Sequence, residues 1–149
     1  MADVLLLHHA HGLTGGLLAF AETLRGAGHT VHAPDSYDGH TFGDLVDGLS
    51  YAEKVGFGTV AGRAVEAAQA LPPELVYVGF SLGVMPAQQL AQTREGARGA
   101  VLVGSCVGPT EFAPQWPEGV PVQVHGGERD EIFAEEGDLD AARELVDST

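Results

Sequence analysis

The strongest chemistry-bearing pattern in the sequence is Gly79-Phe80-Ser81-Leu82-Gly83, which matches G-x-S-x-G. It follows the apolar run Leu75-Val76-Tyr77-Val78 directly and opens a helical stretch. That spacing suits acyl transfer. A serine hydroxyl used as a nucleophile must project from a sharp strand-to-helix bend, and glycine two residues to either side keeps side chains out of neighbouring backbone. The start of the next helix then offers N–H groups and a partial positive charge to a developing oxyanion. Pro86 falls in or near the first turn, where its missing N–H costs little. The alternative reading of the same residues is a glycine-rich turn with a serine helix cap.

Two further segments could complete such a site. The loop His8-His9-Ala10-His11-Gly12-Leu13-Thr14-Gly15-Gly16 follows the first apolar run. If its strand neighbours the one before Ser81, this loop supplies a second oxyanion donor beside the Leu82 N–H. The histidines His8, His9 and His11 also suggest a metal, but a short loop rarely gives metal geometry alone, and no carboxylate or cysteine accompanies them. They are expected to line a pocket, with no metal and no cofactor. The other segment is His125-Gly126-Gly127-Glu128-Arg129-Asp130-Glu131, where an acid can orient a histidine in the chain order Ser…Asp…His. A solvated acidic loop is the alternative there.

The elements that position these residues alternate in type. Val4–His8, Thr30–Ala33, Leu75–Gly79, Ala100–Gly104 and Pro121–His125 read as strands covered on both faces. Between them lie helical patterns: one from Leu17, closed by Gly26 and Gly28, then Gly43–Val55, Phe57–Leu71, Gly83–Gln92 and Asp138–Val146. The middle pair breaks around Gly56 and Gly58, and Pro72-Pro73 ends it. Residues 105–118 form an irregular, proline-containing loop. Alternation of this kind implies an α/β three-layer sandwich with a parallel five-strand sheet in the order 2-1-3-4-5. Ligands of such sheets sit beyond the carboxyl ends of the strands.

Composition narrows the partners. The 149 residues carry 7 Lys plus Arg against 21 Asp plus Glu, a net charge of −14, which argues against a nucleic-acid partner. Cys106 is the only cysteine, so no disulfide framework or cysteine-rich zinc site forms. Its expected role is a small buried apolar residue. The apolar run Val4–Leu7 follows an acidic residue and is far shorter than the ~20 residues of a membrane span. No membrane partner is expected, and a cytoplasmic location is the default.

The first-strand loop, Ala33-Pro34-Asp35-Ser36-Tyr37-Asp38, the Ser81 bend and Gly127-Glu128-Arg129-Asp130 together resemble the dienelactone hydrolase family of the α/β hydrolases. The resemblance covers nearly all of the chain. It implies Ser81 as nucleophile, Asp130 as triad acid, and the N–H groups of Leu82 and Ala10 as oxyanion hole. The implied activity is cofactor-free hydrolysis of a lactone or small carboxylic ester. Three departures stand out. Family members that open dienelactones carry cysteine where this chain has Ser81, and their glutamate after the first strand falls at His9. The family's histidine lies after a further strand beyond the terminal helix, whereas this sequence stops at Thr149.

Residues 1–149 are therefore expected to be a single α/β-hydrolase domain, C-terminally incomplete and truncated before the catalytic histidine. His9 and His11 are the candidates for a substitute base, bonded to Ser81, with His125 near Asp130. Phe112 and Trp116 are expected either to wall the pocket or to pack in the core. Tyr37, Asp38 and His40 are placed to touch substrate, unless Asp35 or Ser36 simply serves the turn. Strand 121–125 becomes an edge, so self-association or a complementing fragment is expected there. The competing readings are a flavodoxin-like binding or regulatory domain, with Gly12–Gly16 cradling a phosphate, and an inactive fragment.

Overall fold

Apolar runs form the inner strands, while the edge strands Thr30–His32 and Val122–His125 carry polar residues as well. The computed structural model of the chain describes residues 1–126 and 138–148. Its strands are β1 Asp3–Leu7, β2 Thr30–His32, β3 Leu75–Phe80, β4 Gly99–Val103 and β5 Val122–His125. All pair in parallel in the order β2-β1-β3-β4-β5, the order expected from the sequence. β3 lies in the centre, with Leu7 opposite Gly79 and Phe80 opposite Val103.

Successive side chains of a strand point to opposite faces, so the inner strands β1, β3 and β4 feed two cores. On one face Leu5, Leu7, Leu75, Tyr77, Ala100 and Leu102 pack against α3 (Phe57–Ala68), α4 (Val84–Thr93) and α5 (Asp138–Ser148). On the other face Val4, Leu6, Val31 and Val78 meet Ala21 and Leu24 of α1 (Gly15–Gly26). Each fully buried leucine among them contributes about 1.5–3 kcal/mol. A third cluster joins Ala52 of α2 (Leu45–Val55) and Val60 of α3 to Tyr37 in the loop after β2. β5 is the edge opposite β2; its Gln123 and His125 are exposed while Val122 and Val124 are half-buried.

Several boundaries differ from the sequence reading. α2 starts at Leu45 because the Asp44 carboxylate accepts the Val46 N–H at 2.7 Å, capping the helix two residues later than expected. α3 ends at Ala68, before the expected Leu71. The break between them is Gly56 alone, at φ 105°, a conformation that favours glycine, while Gly58 lies inside α3. The helix after β3 begins as a tight 3-10 turn, Ser81–Gly83, before α4.

α4 also carries two buried amides. Gln88 donates to the Val107 carbonyl at 2.7 Å and accepts the Val107 N–H at 3.0 Å. Gln92 donates to the Pro109 carbonyl at 2.7 Å. Together they satisfy backbone that the irregular loop after β4 would otherwise bury unpaired. Among the described residues, no helix is long and apolar enough to cross a membrane.

Candidate active site

The bend after β3 is built by steric necessity. Ser81 sits at φ 52°, in the left-handed region, and its side chain is exposed at the carboxyl end of the central strand. A Cβ on Gly79 would overlap the Gly83 carbonyl oxygen and reach within 2.8 Å of the Val84 Cα. A Cβ on Gly83 would overlap the Leu7 carbonyl oxygen and lie 2.7 Å from that of His8. The first glycine lets the bend close on itself. The second lets it dock on the end of β1. Leu82, second residue of the turn, has an N–H that a helix start leaves without an internal partner.

Docking against β1 puts the histidine loop beside the bend. There the described histidines are occupied with the backbone. His8 is buried; its Nδ1–H donates to the His9 carbonyl at 2.8 Å and its Nε2 accepts the Ser36 N–H at 3.0 Å. A carbonyl can only accept and an N–H only donate, so these two bonds fix one neutral tautomer. Burial accordingly holds its pKa below the ordinary 6.5, against the raising influence of the His9 carbonyl and of Asp35. His9 is also lowered, by burial first and then by His11 and His8. Its Nδ1 accepts the His11 N–H at 3.3 Å, and His11 Nδ1–H donates to the Phe42 carbonyl at 2.8 Å. Among the described residues, neither His9 nor His11 is bonded to Ser81, which corrects the expected Ser81–histidine bond. The geometry explains why: these rings hold loop backbone instead.

Ala10 is buried in this loop, and among the described residues none accepts its N–H. Three neighbouring N–H groups turn inward. Gly12 N–H bonds the His9 carbonyl, Thr14 N–H the Gly12 carbonyl, and Leu17 N–H the Thr14 hydroxyl.

Ser81 forms part of the wall of a cavity of about 410 Å³. The bend contributes Ser81, Leu82 and Gly83; β1 and its end, Leu7 and His8; α4, Met85 and Pro86. Leu45 and Leu49 come from α2, and Phe57, Val60, Ala61 and Ala64 from α3. Ser36, Gly104 and Ser105 complete it. A cavity of this size with apolar walls and few polar groups suits a small molecule.

Several expected site residues lie elsewhere. Tyr37 does not line the cavity. It is fully buried, its hydroxyl donates to the Gly48 carbonyl at 3.2 Å, and burial beside Tyr51 pushes its pKa up to about 12. Its ring meets His8 and Tyr51 edge-on at 4.9 Å each, making it a strut under the histidine loop. Trp116 also lies away from Ser81: its ring belongs to the main core, and its Nε1–H donates to the Val120 carbonyl at 2.7 Å. Phe112 is not among the cavity walls. Asp35 serves the turn, its carboxylate accepting the N–H groups of Tyr37 and Gly39 at 2.8 and 2.9 Å. Cys106 is buried in the core. Asp130 lies outside the described residues. Of the three loop histidines expected to line a pocket, His8 does so, while His9 and His11 are not among the cavity walls. Sequence reasoning passed over the walls from α2 and α3. Only the 3.6-residue spacing of Leu45-Leu49 and of Phe57-Val60-Ala64 hinted at a shared face.

No family model matches the sequence, and neither does any curated protein. Solved structures do match. A dienelactone hydrolase-like promiscuous phosphotriesterase from metagenomic libraries aligns with a TM-score of 0.68 at 21% identity, over 98% of this chain and 66% of its own. The chain thus spans just under two thirds of that protein. A Klebsiella pneumoniae protein described as a dienelactone hydrolase aligns with a TM-score of 0.59 at 15% identity, over 99% of this chain and 86% of its own. A protein of Xanthomonas campestris pv. campestris, described as a hydrolase of the α/β superfamily, gives 0.56 at 19%, over 97% and 94%. At these identities the common property is architecture: the chain has the fold of the dienelactone hydrolase-like proteins and the wider α/β hydrolases.

Proposed function

We propose that this chain is a serine-nucleophile hydrolase acting on a lactone or small carboxylic ester. One observation carries the reading: Ser81 is strained at φ 52° and exposed at the end of the central strand, in the wall of an apolar cavity. The left-handed conformation costs a non-glycine residue about 1–2 kcal/mol, and such outliers gather at functional sites. The descriptions of the similar structures support the same class of reaction.

In the proposed reaction the Ser81 oxygen bonds the carbonyl carbon while its proton passes to a base. The carbonyl oxygen takes negative charge and receives the N–H groups of Leu82 and Ala10. The C–O bond to the alcohol, or to the ring oxygen of a lactone, then breaks and that oxygen takes the proton. Water repeats the exchange and releases the acid. Asp130 is the residue assigned to orient the base. Among the described residues no imidazole is bonded to Ser81, so the hydroxyl is a weak nucleophile until a base reaches it.

An alkyl fluorophosphonate tests the assignment. Ser81 should displace fluoride and gain one phosphonyl group, read by intact mass and located on the peptide carrying residue 81. Ser81→Ala should abolish the adduct. An unlabelled wild-type chain, or labelling retained in Ser81→Ala, overturns the reading.

A further inference from the structure

The cavity beside Ser81 has a distinct chemical character. Its mouth carries three large apolar side chains that remain well exposed: Leu49 at 38%, Phe57 at 46% and Met85 at 50%. They come from α2, α3 and α4, so three separate elements bring apolar surface to one opening. Among the described residues, no lysine, arginine, aspartate or glutamate lines the cavity. Among the described walls His8 is the one histidine, and both its ring nitrogens are committed to backbone. Arg63 donates to the Ser36 carbonyl at 3.0 Å and is not itself part of the wall.

We propose that this cavity selects uncharged substrates and lodges an apolar arm of the ester between α2 and α3, a specificity that rests on the hydrolase reading above. A carboxylate entering the site would lose hydration with no cation among the described walls to replace it. The net charge of −14 adds long-range repulsion of anions. An alkyl arm, in contrast, covers Leu49, Phe57 and Met85, and each methylene it buries strengthens binding roughly fourfold. The residues set selection by charge and length, and Ser81 sets where the carbonyl lies.

Full-length Ser81→Ala, titrated calorimetrically, separates binding from chemistry. The probes are straight-chain primary amides of four, six and eight carbons, and the carboxylates of the same lengths. Amide affinity should rise roughly fourfold per methylene, levelling once the cavity is filled. Each carboxylate should bind at least tenfold more weakly than its amide. Adding Phe57→Asp should weaken the eight-carbon amide at least tenfold, with Leu49→Ser as a second variant at a half-exposed position. Carboxylates that bind as well as amides, or affinities independent of length, overturn the proposal. If the amide series behaves as expected while Ser81 resists the fluorophosphonate, the selectivity stands and the hydrolase reading alone falls.

Discussion

The bend after β3 and the histidine loop after β1 leave the same end of the sheet and touch, yet they are built on opposite plans. In the histidine loop the polar side chains are bonded to backbone: His8 to His9 and Ser36, His9 to His11, His11 to Phe42. Tyr37 props it from below through Gly48. In the bend, Ser81 is strained and exposed, and among the described residues nothing bonds its hydroxyl. A residue-type census would have ranked the histidines as the more reactive feature. The difference teaches that reactivity follows unsatisfied, strained groups, whereas polar groups already paired serve as scaffolding.

Substitutions can break that contrast. The largest effect is expected from Gly83→Ala, which drives a methyl group into the Leu7 and His8 carbonyls and should cost about 3 kcal/mol in urea unfolding. Gly15→Ala, with nothing within 4 Å of the added carbon, is the control and should change stability by about 0.5 kcal/mol or less. Similar losses at both positions would mean the bend is not locked onto β1. His8→Ala comes next. It strands the Ser36 N–H and the His9 carbonyl, and should cost about 2 kcal/mol.

Acid gives a subtler test of the same loop. His8 and His9 titrate below 6.5 in the folded chain, chiefly through burial, so the unfolded chain takes up protons first. The stability they contribute is complete above pH 6.5 and is lost as pH falls from 6.5 through their lower folded values. Urea midpoints between pH 7.5 and 5 should decline, and His8→Gln should flatten the decline. An unchanged slope in that variant would show that His8 is not held neutral by burial. Ser81→Gly should release the strain at φ 52° and raise stability by about 1 kcal/mol while removing the labelled hydroxyl. A destabilised variant would mean the serine is at ease in its bend. The weakest effect is expected at the edge of β5, which no described strand covers, where concentration-dependent sedimentation would reveal self-association; an invariant monomer mass would reject it.

The strand order was legible because short strand-like segments alternate with helical patterns, most of them stopped by glycine or proline, and parallel right-handed connections leave few arrangements. The Ser81 bend was legible because its glycines answer steric demands that reach only a few residues, or one neighbouring strand. Other features depend on partners distant in sequence. Trp116 was open between pocket wall and core, and its partners decide for the core: the indole meets the Val120 carbonyl and the ring joins the core cluster. Tyr37 looked substrate-facing, but its acceptor lies on α2. The histidine loop was legible as pocket-lining, but nothing local told that His8 alone of the three would reach the cavity while His9 and His11 hold loop backbone. The Asp44 cap was local and could have been read: an aspartate just ahead of an apolar-periodic stretch signals a helix start.

The amides on α4 have a mechanical consequence. One rod holds the nucleophile's turn at its beginning and grips residues 107 and 109 through Gln88 and Gln92 farther along. Any tilt of that rod must therefore carry both the reacting serine and the segment adjoining Ser105, keeping the two sides of the opening in step. Losing Gln88 alone would leave the Gln92 grip on Pro109, so uncoupling the two sides takes replacement of both amides.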